Sequence, residues 1–125
     1  MPKYEYIFSI QIYRASTMNL SVTVLELSGI LDGIRGNELR RQMAGILAKG
    51  CDIVLLDMKE VNFIDSSGLG ALVSAAQMVQ NANGKLFVCS ISDQVGMLFK
   101  LTKMDKILQI FADQEEFKRQ VLAIK

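Results

Sequence analysis

The chain contains no histidine. That absence removes the usual general base, the Ser-His-Asp triad and most catalytic zinc sites together. Long apolar runs are missing too, since none approaches the roughly 20 residues that a membrane span requires. Nor is there an excess of charge: 14 basic and 13 acidic residues leave a net charge of +1. A balance of this kind supplies no field to draw in nucleic acid or an anionic membrane strongly. The expected partners are therefore proteins or small molecules, with no direct nucleic-acid binding and no membrane insertion. The opening residues "MPKYEYIFSIQIYRAST" alternate polar and apolar side chains. They lack the apolar stretch of a secretory signal, so no export is implied. Cysteine is scarce as well. Cys51 and Cys89 sit in or beside the apolar runs "KGCDIVLLD" and "KLFVCS", where reduced thiols behave as small hydrophobes, consistent with a cytoplasmic protein.

What is present describes one domain. A chain of 125 residues, half of them hydrophobic and 22% charged, can bury a single continuous core. The segments "FSIQIYRA" and "LSVTVLEL" alternate as two half-buried strands joined by "STMN", which predicts an antiparallel hairpin. "SGILDGIRG" reads as a loop, followed by a helix from about Asn37 to Ala48 that Gly50 ends. "DIVLLDM" is apolar almost throughout, as in a central strand covered on both faces. A second helix carries Leu69, Leu72, Val73, Ala76 and Val79 at helical spacing and stops at "NANG". The strand "KLFVCSI", a helix from about Asp93 to Leu101, a weak strand at Ile107 to Phe111 and a closing helix over "DQEEFKRQVLAIK" complete the pattern. Asp113 caps that last helix. Leu69 and Met78 are expected in the core rather than on a docking face, and Met97 and Met104 are read as gap-filling core residues. The predicted fold is α/β, with a mixed, mostly parallel sheet, an antiparallel N-terminal edge strand and about four helices. Residues 8–125 form the domain, and residues 1–7 a lead-in or an extension of the edge strand.

The stretch with the most chemistry is "VNFIDSSGLGALVSAAQ", residues 61–77. An apolar strand stops at an acid, two serines and a glycine, and a helix follows. In α/β sheets functional residues gather at such junctions, where helix starts offer unsatisfied N–H groups and a positive dipole end. Capping by Asp or Ser, with glycines allowing close backbone approach, accounts for the composition by itself. A phosphate carried by a serine there would also be tolerated electrostatically. The stretch lacks the glycine spacing of a dinucleotide fingerprint and the lysine of a P-loop. It is not a nucleophile elbow either, and no histidine is available to activate a serine. No cofactor and no metal site are expected.

Those residues resemble the signature of the anti-sigma factor antagonist family, whose fold is the STAS domain. The similarity runs over about residues 8–124 and includes "LELSGILDGIRGNEL" and "NGKLFVCSISDQVGMLFKLTKMDKILQIFADQEEF". In that family the serine directly after the aspartate is phosphorylated by a partner serine kinase, usually itself the anti-sigma factor. The resemblance implies that Ser66 is the phosphate acceptor, with Ser67 as runner-up and as the helix-capping hydroxyl. It further implies a partner-binding surface of Asp32, Asp65, Ser66, Ser67 and Gly68, a serine phosphatase as a second partner, and a monomer or weak dimer. The chain departs from the family where Glu is frequent and Ile30 stands, and where His or Thr is frequent and Gly33, Ile34 and Arg35 stand. The implied function is a switch that sequesters the anti-sigma factor when unphosphorylated and releases it when phosphorylated. The alternative is a STAS sensor or scaffold subunit that binds a protein, nucleotide or lipid without obligatory phosphorylation.

Overall fold

The computed structural model describes the backbone of residues 9–17 and all of residues 20–122. The lead-in expected at residues 1–7 lies outside them. Five strands form one sheet in the order β1-β2-β3-β4-β5. They are β1 (Ser9–Thr17), β2 (Leu20–Leu31), β3 (Ile53–Ile64), β4 (Lys85–Cys89) and β5 (Gln109–Phe111). β1 runs antiparallel to β2, and every later pair is parallel. Between the parallel strands lie α1 (Gly33–Ala48), α2 (Ser66–Asn81), α3 (Asp93–Thr102) and the short α4 (Met104–Ile107); α5 (Gln114–Phe117) continues into a π-helical turn, Lys118–Leu122.

The central strand β3 shows how sequence periodicity divides the core. Val54, Leu56 and Met58 face the layer of α1, α2 and α3, and pack with Leu39, Met43, Leu72, Ala75, Val95 and Phe99. The alternate residues Ile53 and Leu55 face the other way, toward Phe117 and Leu122. Both faces are thus covered over residues 53–58, which is why that half of the strand is apolar apart from Asp57. On the second face Phe87, Phe111 and Phe117 form a triangle with ring centroids 5.6–5.8 Å apart in tilted and edge-on arrangements, the geometry that aromatic quadrupoles favour. Cys89 is wholly buried there, and burial pushes its thiol up to about 12. Gln114 ties α5 to the sheet by donating to the buried Asp57 at 2.6 Å and to Glu26 at 3.1 Å.

Several helix ends follow the sequence directly. Gly50, after α1, adopts φ +84°, the left-handed conformation that glycine takes without a steric penalty. Asp113 accepts a 2.8 Å bond from the Glu116 N–H and caps α5. Elsewhere the expectations need correction. "SGILDGIRG" is not a loop: β2 runs through Leu31, and α1 begins at Gly33. α4 is an additional helical turn. Met97 is 66% exposed rather than core, whereas Met104 is buried. Leu69 and Met78 are partly buried against the core.

Two irregularities shape the upper half of β3. Its register against β2 shifts by one residue after Glu26 and again after Gly29, where Val61 and Phe63 pair with the consecutive residues Gly29 and Ile30. The surplus residue at the second shift is Asn62, a β-bulge. Val61 and Ile64 are three residues apart, so in a regular strand they would point to opposite faces. With the bulge both enter the same core, and Phe63 is left 56% exposed.

Candidate functional site

Two aspartates organise the carboxyl ends of β2 and β3. Asp32 follows β2 and is the N-cap of α1, its Oδ1 accepting from the Arg35 N–H at 3.0 Å. Asp65 follows β3 and is the N-cap of α2, its Oδ1 accepting from the Gly68 N–H at 2.8 Å. Each carboxylate satisfies one of the donors that a helix start leaves unpaired. The two junctions are stitched together by the backbone, since the Asp65 N–H donates to the Leu31 carbonyl at 3.2 Å.

Small residues then let the two helix starts converge. A Cβ on Gly33 would stand 3.5 Å from Ser67 Cβ, and one on Gly36 would stand 2.7 Å from Ala71 Cβ. Gly68 is the tightest point: a Cβ there would lie 2.1 Å from the Leu31 carbonyl oxygen. Both helices are 16 residues long, and neither has an acidic residue in its first turn. Their positive dipole ends therefore meet side by side without internal neutralisation beyond the two caps.

Arg35 belongs to this surface. Its Nη1 donates to Asp32 Oδ2 at 2.8 Å, completing a salt bridge within the first turn. The Arg35 backbone N–H, aided by the guanidinium's charge and hydrogen bond, holds the Asp32 carboxyl below its ordinary range despite some desolvation. Asp32 is therefore a carboxylate at neutral pH. It contributes stability above the ordinary carboxylate range, and that contribution is lost as pH falls through its lowered folded-state value.

Ser66 and Ser67 are the first and second residues of α2, and both are exposed. Here the expectation for Ser67 is corrected. The cap is Asp65, one residue before the serines, because the N-cap must lie in extended backbone while Ser67 is already helical. Among the described residues neither serine hydroxyl takes a hydrogen-bond partner. Replacing Asp65 with Ala should cost about 1 kcal/mol of stability through the lost cap, measurable by denaturant unfolding. An unchanged midpoint would show that the bond to Gly68 contributes nothing.

All five residues singled out from the sequence, Asp32, Asp65, Ser66, Ser67 and Gly68, lie at these two adjacent strand-to-helix junctions. The sequence named Ile34 and Arg35 only as departures from the family, within a supposed loop, and gave Phe63 no role. Asp32 at the end of an alternating strand was the available signal for a helix start at residue 33. Among the described residues there is no group of three His, Cys, Asp or Glu side chains that could hold a metal ion. No helix among them is long and apolar enough to cross a membrane.

The STAS domain family model matches residues 13–117. An anti-sigma F factor antagonist from Paenibacillus polymyxa is 30% identical over 94 residues, 74% of this chain and 80% of that protein. The anti-sigma factor antagonist SpoIIAA in its unphosphorylated form has the same fold, with a TM-score of 0.74 at 18% identity over 95% of this chain and 99% of that one. The Bacillus cell fate determinant SpoIIAA in its phosphorylated form superposes with a TM-score of 0.66 at 17% identity, over 89% of this chain and 98% of that one. With the family model and the Paenibacillus relative agreeing over most of its length, the chain belongs to the STAS domain family.

Proposed function

We propose that this protein is an anti-sigma factor antagonist, a cytoplasmic binding module controlled by phosphorylation of Ser66. The observation that carries the reading is the division of labour at the start of α2. Asp65 supplies the cap, so the exposed Ser66 hydroxyl is not committed to holding the helix. A phosphoryl group can be added there without removing a structural hydrogen bond. It would arrive at the positive end of a 16-residue helix whose first turn carries no acid, where a negative group gains about 0.3–1 kcal/mol. The Paenibacillus relative, an anti-sigma F factor antagonist, supports the choice of partner. SpoIIAA, which shares the fold, exists in unphosphorylated and phosphorylated forms.

In this reading the unphosphorylated surface of Asp32, Asp65, Ser66, Ser67 and Gly68 binds an anti-sigma factor that is also a serine kinase. Phosphorylation adds about 1.5 to 2 negative charges beside Asp65 and disrupts a closely packed partner by desolvation and repulsion. A serine phosphatase resets the switch. The domain is substrate and ligand in this cycle, with no catalysis of its own. The test is incubation with each anti-sigma factor kinase of the source organism and ATP, followed by mass spectrometry. Phosphate on Ser66 is expected with one of them, and incorporation should vanish in Ser66→Ala. Phosphate confined to another residue, or found with none of the kinases, would overturn the proposal.

A further inference from the structure

Beside the phosphoacceptor lies an apolar cleft between the end of β3 and α3, with a volume of about 330 Å³, lined by Asn62, Phe63, Ile64, Gln94, Val95 and Leu98. It borders the switch directly, because Ile64 is followed by Asp65 and Ser66. Its aromatic wall, Phe63, is 56% exposed. That exposure has a specific origin, the extra residue Asn62, which turns Phe63 out of the core while Ile64 takes the inward position. Bulges commonly re-aim a side chain beside a functional site.

From this geometry we infer that Phe63 is an apolar anchor for the anti-sigma factor kinase, which seats an aliphatic or aromatic side chain in the cleft between Phe63 and Leu98. The inference rests on the proposed role of Ser66 and names what holds the partner there. The chemistry of the lining selects the occupant. None of the six residues is charged, so the cleft supplies no counter-charge to a phosphate group or an anionic lipid headgroup. The amides of Asn62 and Gln94 can bond the backbone of an inserted protein segment, while Phe63, Val95 and Leu98 accept its side chain. Aromatic side chains at a concave apolar site are the usual carriers of binding energy. An apolar contact adjoining Ser66 also accounts for release, because a phosphate placed at the edge of a desolvated interface must lose its hydration or break the contact.

The test compares Phe63→Ala with Ile107→Ala. Ile107 is matched in exposure at 57% but lies in α4 beside Lys85 and Gln109, where β4 and β5 begin, away from the switch. The probe is the kinase that phosphorylates the wild-type chain, with dissociation constants measured calorimetrically without ATP and melting temperatures confirming that each variant is folded. We expect Phe63→Ala to weaken binding at least tenfold and Ile107→Ala to stay within twofold. Wild-type affinity in Phe63→Ala, with Ser66 still phosphorylated, would overturn the anchor and leave the switch standing. Binding lost in Phe63→Ala, with that kinase placing its phosphate on a residue other than Ser66, would support the anchor and overturn the switch.

Discussion

Gly68→Ala should destabilise the domain by at least about 3 kcal/mol, lowering its melting temperature by roughly 10 °C or more. The reasoning is steric. The added methyl would sit 2.1 Å from the Leu31 carbonyl oxygen and 2.8 Å from its carbon. That carbonyl cannot swing aside freely, since it accepts the Asp65 N–H at 3.2 Å and lies at the end of β2, where Leu31 pairs with Ile64 of β3. Helix propensity acts in the opposite direction, because Ala is favoured over Gly by about 1 kcal/mol within a helix. Gly70→Ala isolates that term. Two residues further along the same helix, a Cβ at Gly70 meets nothing within 4 Å, so the substitution should be neutral or stabilising by up to about 1 kcal/mol. Thermal melts of both variants decide the matter. A Gly68→Ala protein that melts within about 2 °C of wild type would show that β2 and α2 are not in backbone contact at the switch.

The second large effect separates the two serines. In the presence of the kinase and ATP, wild-type chain should leave its complex as phosphate accumulates, whereas Ser66→Ala should remain bound. Ser67→Ala should behave as wild type in this assay, because Asp65 rather than Ser67 caps the helix. The Ser67 side chain faces Gly33 of the neighbouring helix, so its loss removes a small contact and leaves the proposed acceptor in place. Time-resolved pull-down of the complex reads both variants. Release of Ser66→Ala at the wild-type rate would assign the acceptor elsewhere; retention of Ser67→Ala would make Ser67 the acceptor.

The junction at residues 61–77 was legible because its signals are local: an apolar run, a cap residue and a helical repeat adjoin one another. Ser66 and Asp65 could be placed at a strand-to-helix turn without knowing what surrounds them. The start of α1 was not legible in the same way. "SGILDGIRG" carries three glycines, which propensity reads as a loop, but Gly33 and Gly36 are helical and serve the close approach to Ser67 and Ala71. That reason exists only when both helices are in place. The capping assignment failed for a related reason. Asp and Ser are comparable N-caps, and what separates them is which residue is the last in extended backbone, a boundary that depends on how far β3 runs. The bulge at Asn62 was equally hidden, because a surplus residue is defined by the strand it pairs with. Met97 carried the right hydrophobicity for a core position but falls on the outer side of α3.

The central claim is that phosphate on Ser66 switches partner binding while leaving the domain folded. Its most direct test uses protein carrying phosphoserine at position 66, introduced during synthesis, titrated calorimetrically against the kinase alongside the unmodified chain. Affinity should fall by about tenfold or more, equivalent to about 1.4 kcal/mol, with the melting temperature of the free domain essentially unchanged. Equal affinity for the two forms would contradict the account, as would a phosphorylated domain that no longer folds.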